Sequence, residues 1–92
     1  MDNILHIYGQ HCWHNEAFIV GDKEALQRLA DAINQAISVG TGRCQSGVND
    51  GEGFDVYIRY IDDQQTLDKL ALPYTSDAAK EKDKSAIWPW VL

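Results

Sequence analysis

Long apolar runs are missing from this 92-residue chain. No stretch approaches the ~18 residues that a membrane-spanning helix needs, and no secretory signal pattern opens the sequence, so the expected setting is the cytoplasm, away from membranes. Cations are scarce: eight Lys and Arg stand against fourteen Asp and Glu, for a net charge of −6. That excludes generic nucleic-acid binding, which needs cations to displace the counterions of the phosphates. Cysteine is scarce too. Cys12 and Cys44 alone cannot make a disulfide framework, and in a reducing compartment both are expected as free thiols. Low-complexity tracts, internal repeats and interdomain linkers are also absent. What remains is ordinary globular material, 45% hydrophobic and 24% charged, which excludes wholesale disorder. A chain of this length supports one core, so residues 1–92 are read as a single domain.

The pattern along the chain reads as α+β. Residues 3–8 have strand composition and end at Gly9. Glu16–Val20 reads as a second strand, continuous enough in apolar residues to be covered on both faces, and a hairpin joins the two. Asp22 then stands in an N-cap slot, and Leu26, Leu29, Ala30, Ile33 and Ile37 trace one apolar stripe of a helix that stops at Gly40. A poorer strand, Arg43–Val48, places Cys44, Ser46 and Val48 on one side. Asn49–Gly53 is turn chemistry, and Phe54–Ile61 is the best strand. Its alternation sets Phe54, Val56, Ile58 and Tyr60 against Asp55, Tyr57, Arg59 and Ile61. The expected architecture is therefore two β-hairpins in one mainly antiparallel sheet, ββαββ, with the helix packed across it. Short helices follow, one opened by Asp62 or Asp63 and closed before Pro73, another running from Thr75 or Ser76 through the charged residues 80–84.

Three groups of residues carry candidate chemistry. His11, Cys12 and His14 offer three ligands within four residues. Zinc would accept them if Asp50, Glu52 or Cys44 arrived as a fourth, but no second ligand pair appears, and a polar hairpin loop whose Trp13 packs on the body is the favoured account. A thiolate nucleophile built from Cys12 with His6 or His14 lacks an orienting third member. Asp50, Glu52, Asp55, Asp62 and Asp63 cluster within fourteen residues around a strand that presents Tyr57 and Arg59. Acid–base catalysis would need one carboxyl desolvated, which a turn does not provide. An acidic surface bearing a tyrosine can instead steer toward a basic protein and anchor on it. The glycines around residues 40–53 match neither a phosphate loop nor a complete calcium loop. The Trp88-Pro89-Trp90 end is either pinned in the core or offered to another chain.

Residues 13–22, Asn49–Phe54 and 70–75 resemble segments of a group of small bacterial and phage-associated proteins, a likeness that spans most of the chain. It implies a cytoplasmic bacterial accessory protein of a mobile element, and no activity. Size and charge are similar to those of immunity proteins that neutralise toxins, although no immunity motif is present. The expectation is a non-catalytic protein without a cofactor, monomer or homodimer. It would bind a basic protein such as a nuclease toxin through Asp50, Glu52, Asp55, Tyr57 and Arg59. Two alternatives stand beside it: a metal-binding protein or metal-dependent hydrolase using His11, Cys12 and His14, and a module that self-associates through Trp88 and Trp90.

Overall fold

Asp22 is where the chain changes from strand to helix. In the computed structural model, which describes residues 3–10, 14–73 and 85–92, its carboxylate accepts from the Ala25 amide at 2.8 Å and from the Ile4 amide at 2.9 Å. One side chain thus caps the helix and fastens it to the first strand. Among the described residues the elements are β1 (Leu5–Tyr8), β2 (Phe18–Gly21), α1 (Lys23–Val39), β3 (Thr41–Gly47), β4 (Gly53–Arg59) and α2 (Gln64–Lys69), with a 3-10 turn at Pro89–Val91. Gly40, at φ 95°, closes α1 by donating to the Ala36 carbonyl at 2.8 Å, a left-handed position that glycine occupies without steric cost.

The fold is α+β, but the single sheet expected from the sequence is two. β1 pairs antiparallel with β2, and β3 with β4, whose register runs from Thr41 opposite Arg59 to Gly47 opposite Gly53. One parallel bridge, Ile4 to Gly47, joins the hairpins. The reason is length: β1 begins where β3 ends, so it runs past the turn that follows Gly47 and finds no further strand partner there among the described residues. Asn3 secures the junction from φ 61°. Its carbonyl accepts from Gly47 N at 2.9 Å, its amide donates to the Gln45 carbonyl at 2.7 Å, and its Oδ1 accepts from the buried Ser46 hydroxyl at 3.1 Å. The radius of gyration is 14.7 Å, against roughly 12 Å for a compact chain this long.

The core lies between α1 and β3–β4. Ala25, Leu29, Ala32 and Ala36 are buried against the inner face of β3, where Gly42, Cys44 and Ser46 are small, and Leu5 closes one end. Phe54, Val56 and Ile58 of β4 pack against this cluster from the side. Two expectations are corrected here. The helix stripe read from the sequence is split: Leu29 is buried, while Leu26, Ile33 and Ile37 are 41%, 41% and 63% exposed. Small residues on β3 draw the alanine face inward and turn the larger aliphatics roughly a quarter-turn away. β2 is not covered on both faces either, for Phe18, Ile19 and Val20 each remain more than half exposed on the projecting hairpin. Only the first C-terminal helix falls within the described residues. α2 is capped by Asp63, whose carboxylate accepts from Thr66 N at 2.8 Å and Thr66 Oγ1 at 2.7 Å. The helix expected through residues 80–84 lies outside them.

Candidate functional site

Strand alternation in β3 and β4 points every second side chain away from α1. On that outer face the register sets Arg43 opposite Tyr57 and Gln45 opposite Asp55, with Thr41 opposite Arg59. The two guanidinium carbons lie 5.8 Å (Arg43) and 5.4 Å (Arg59) from the centre of the Tyr57 ring, so the phenol stands between two cations. Arg43 reaches diagonally to Asp55, donating from Nη2 at 3.0 Å and from Nε at 3.2 Å to the same oxygen, Oδ1. Those bonds hold its guanidinium above its ordinary basicity. Arg59 is fixed by three acceptors: Thr41 Oγ1 at 2.7 Å, the Leu92 carbonyl at 3.1 Å and the Ile58 carbonyl at 3.2 Å. Two of the chain's three arginines therefore frame one tyrosine that is 57% exposed.

Beside this face runs a cleft of about 710 Å³. Its polar wall is Tyr57 and Arg59, and its apolar wall is made by Leu67 of α2 and Leu70 just after it, with Pro89 and Trp90 of the C-terminal turn. The far wall is held by backbone bonds, Ile87 N to the Lys69 carbonyl at 2.7 Å and Ala71 N to the Ile87 carbonyl at 3.0 Å. Trp88 and Trp90 stack at 5.4 Å with their planes 10° apart; Trp88 is half-buried and Trp90 is 68% exposed. Of the two tryptophans, one is thus half-buried and the other exposed.

The expected protein-binding residues separate into two groups. Asp55, Tyr57 and Arg59 share the outer face. Asp50 and Glu52 are exposed in the β3–β4 turn, where Asp50 Oδ1 accepts from Glu52 N at 3.0 Å and Gly51 takes a φ of 91°. That turn is braced from β1, since the Asn49 amide donates to His6 Nε2 at 3.2 Å. Arg43 was not singled out from the sequence, because its importance depends on register; it stands two residues from Gln45 on the same face, and only the pairing with Tyr57 reveals it. Of the metal candidates, His11 and Cys12 lie outside the described residues, and His14 is exposed at φ 53°. Among the described residues no group of three His, Cys, Asp or Glu is placed to hold a metal ion. Cys44 is a buried free thiol, and no described helix is long and apolar enough to cross a membrane. No family model, no curated protein and no solved structure matches this chain.

Proposed function

We propose that this protein is a non-catalytic binding module that recognises another protein through the outer face of β3–β4. The observation that carries the reading is Tyr57, exposed, held between Arg43 and Arg59, and bordered by an apolar cleft ending at Trp90. Tyrosine, arginine and tryptophan supply most of the binding energy at protein interfaces, and a ring fixed by neighbours loses little entropy when covered. Asp50 and Glu52 at the turn supply the attraction toward a basic partner that the net charge of −6 favours. Asp55 has a different part, since its bond to Arg43 positions that guanidinium beside the ring. Neutralisation of a basic toxin in a bacterial cytoplasm is one task such a surface performs.

The test begins with capture of a stoichiometric partner from host lysate and continues with purified components. Tyr57→Ala is expected to weaken binding about 30-fold or more, the effect of losing a central anchor. Reversing Asp50 and Glu52 to lysine is expected to slow association and flatten its salt dependence. Unchanged affinity in Tyr57→Ala would remove the reading.

A further inference from the structure

Among the described residues, the inner side of the β3–β4 layer is only half covered. A groove along one side of α1 is lined by Arg28, Asp31 and Gln35 together with Arg43, Cys44 and Gln45, so the charged flank of the helix overlooks the edge of β3 that faces away from β4. The opposite flank, which carries Leu26, Ile33 and Ile37, therefore lies over β4. Below it, Phe54, Val56 and Ile58 are only half-buried, and Tyr60 is 52% exposed. Among the described residues β4 has a strand partner on one edge only. The bonds Val48 N to the Glu52 carbonyl and Tyr60 N to the Gly40 carbonyl fix the phase of the hairpin. Even-numbered positions of β4 turn their peptide groups toward β3, and Asp55, Tyr57 and Arg59 turn theirs outward.

We propose that a second copy of this chain covers this surface, by antiparallel pairing of β4 with β4 across a twofold axis at Tyr57. Three observations select a second copy. The first is charge: with Tyr57 opposite Tyr57, Asp55 of each copy falls opposite Arg59 of the other, twice per dimer. Both bonds from Arg43 end on Asp55 Oδ1, which leaves Oδ2 unused by that pair, and Arg59 donates to Leu92, Thr41 and Ile58 through Nε and Nη1. The second is apolar register. Val56 meets Ile58 and Phe54 meets Tyr60, while the two α1 flanks face each other above them and carry no carboxylate toward the axis. Copies with a charge of −6 repel one another, so an interface free of unpaired acid is where they can meet. The third is extent. Seven partly exposed apolar side chains, a seven-residue strand edge and the ionic rim make one surface, and it is breadth of this kind, ~800 Å² per partner, that a stable interface takes. The result is a four-stranded sheet, β3-β4-β4-β3, with both helices on one face. The two Tyr57 faces stand together on the other, so this inference goes beyond the proposed binding role and does not rest on it.

Sedimentation equilibrium across a concentration series tests it. The wild-type chain is expected at twice its 10.4 kDa mass. Ile37→Lys, at a position exposed enough to leave folding intact by circular dichroism, is expected to weaken association ~10-fold or more. Asp55→Arg and Arg59→Asp each place like charges opposite one another and are each expected to sediment as monomers. Mixed in equal amounts they restore both ion pairs and are expected to recover the dimer. A wild-type monomer at several hundred micromolar would overturn the proposal. So would a mixture that stays monomeric, or a dimer lost in Phe18→Lys on β2 but kept in Ile37→Lys.

Discussion

Gly42 of β3 packs directly beneath Ala32 of α1. A Cβ built on the glycine would stand 2.9 Å from the Ala32 carbonyl carbon and 3.3 Å from its Cα, with the carbonyl oxygen nearer still. Helix backbone, rather than a side chain that could turn aside, fills the space. The close approach lets Ala25, Ala32 and Ala36 reach the sheet, and it sets the rotation of α1 that leaves Leu26, Ile33 and Ile37 over β4. Gly42→Ala must lift the helix. It is expected to cost about 1–3 kcal/mol in urea unfolding, as other overpacked cores do, and to weaken any association through the α1 flank.

Asp22 makes stability depend on pH. Its carboxyl is held below the ordinary value of 3.8, first by the hydrogen bond from the Ile4 amide and then by that from Ala25. The folded state thus binds this proton less readily than the unfolded state. The contribution is complete above the unfolded value and is lost as pH falls from about 4 through the folded value. Asp63 is shifted the same way by Thr66, through its hydroxyl first and its amide second. Melting temperatures measured from about pH 6 down to about pH 2 are expected to fall less steeply for Asp22→Asn than for the wild type. Equal slopes would show that the Ile4 and Ala25 bonds do not favour the ionised carboxylate.

Part of this fold was legible in the sequence. Asp22 and Gly40 mark the ends of α1 because capping is a local interaction, decided by residues within one turn of the end. The alternation of Phe54, Val56 and Ile58 with Asp55, Tyr57 and Arg59 gave β4 its two faces for the same reason. What periodicity could not decide was which apolar residues of α1 would be buried. Leu26, Ile33 and Ile37 satisfy the stripe rule, yet the alanines win because Gly42, Cys44 and Ser46 across the gap are small, a fact of pairing between distant segments. Arg43 was missed on the same ground, since only the register opposite Tyr57 gives it a role.

Cys44 is 8% exposed, and burial raises its thiol above the ordinary value, an effect that Arg28 partly opposes. Fewer thiolates and little access both slow alkylation. In the native protein near neutral pH, Cys44 is expected to react with iodoacetamide at least ~10-fold more slowly than the same residue in denaturant, followed by peptide mass spectrometry. Rapid native labelling would mean that α1 lifts from β3 readily, and Gly42→Ala is expected to move the rate in that direction.

Asn3 carries the joint between the two hairpins, and its removal should separate their stabilities. It accepts from Gly47 through its backbone, and its side chain bonds Gln45 and Ser46. It also takes a left-handed φ of 61° that asparagine tolerates better than alanine. Asn3→Ala removes both side-chain bonds and adds backbone strain, while Asn3→Gly removes the bonds but relieves the strain. Hydrogen exchange is expected to show faster exchange across β1 and β2 in Asn3→Ala than in Asn3→Gly, with β3 and β4 protected in both. The β1–β2 hairpin touches the remainder through Leu5, the Ile4–Gly47 bridge, Asp22 and the His6 contact with Asn49, so it opens as a unit once that corner is loosened. Uniform loss of protection over all four strands would instead mean that Asn3 stabilises one cooperative body.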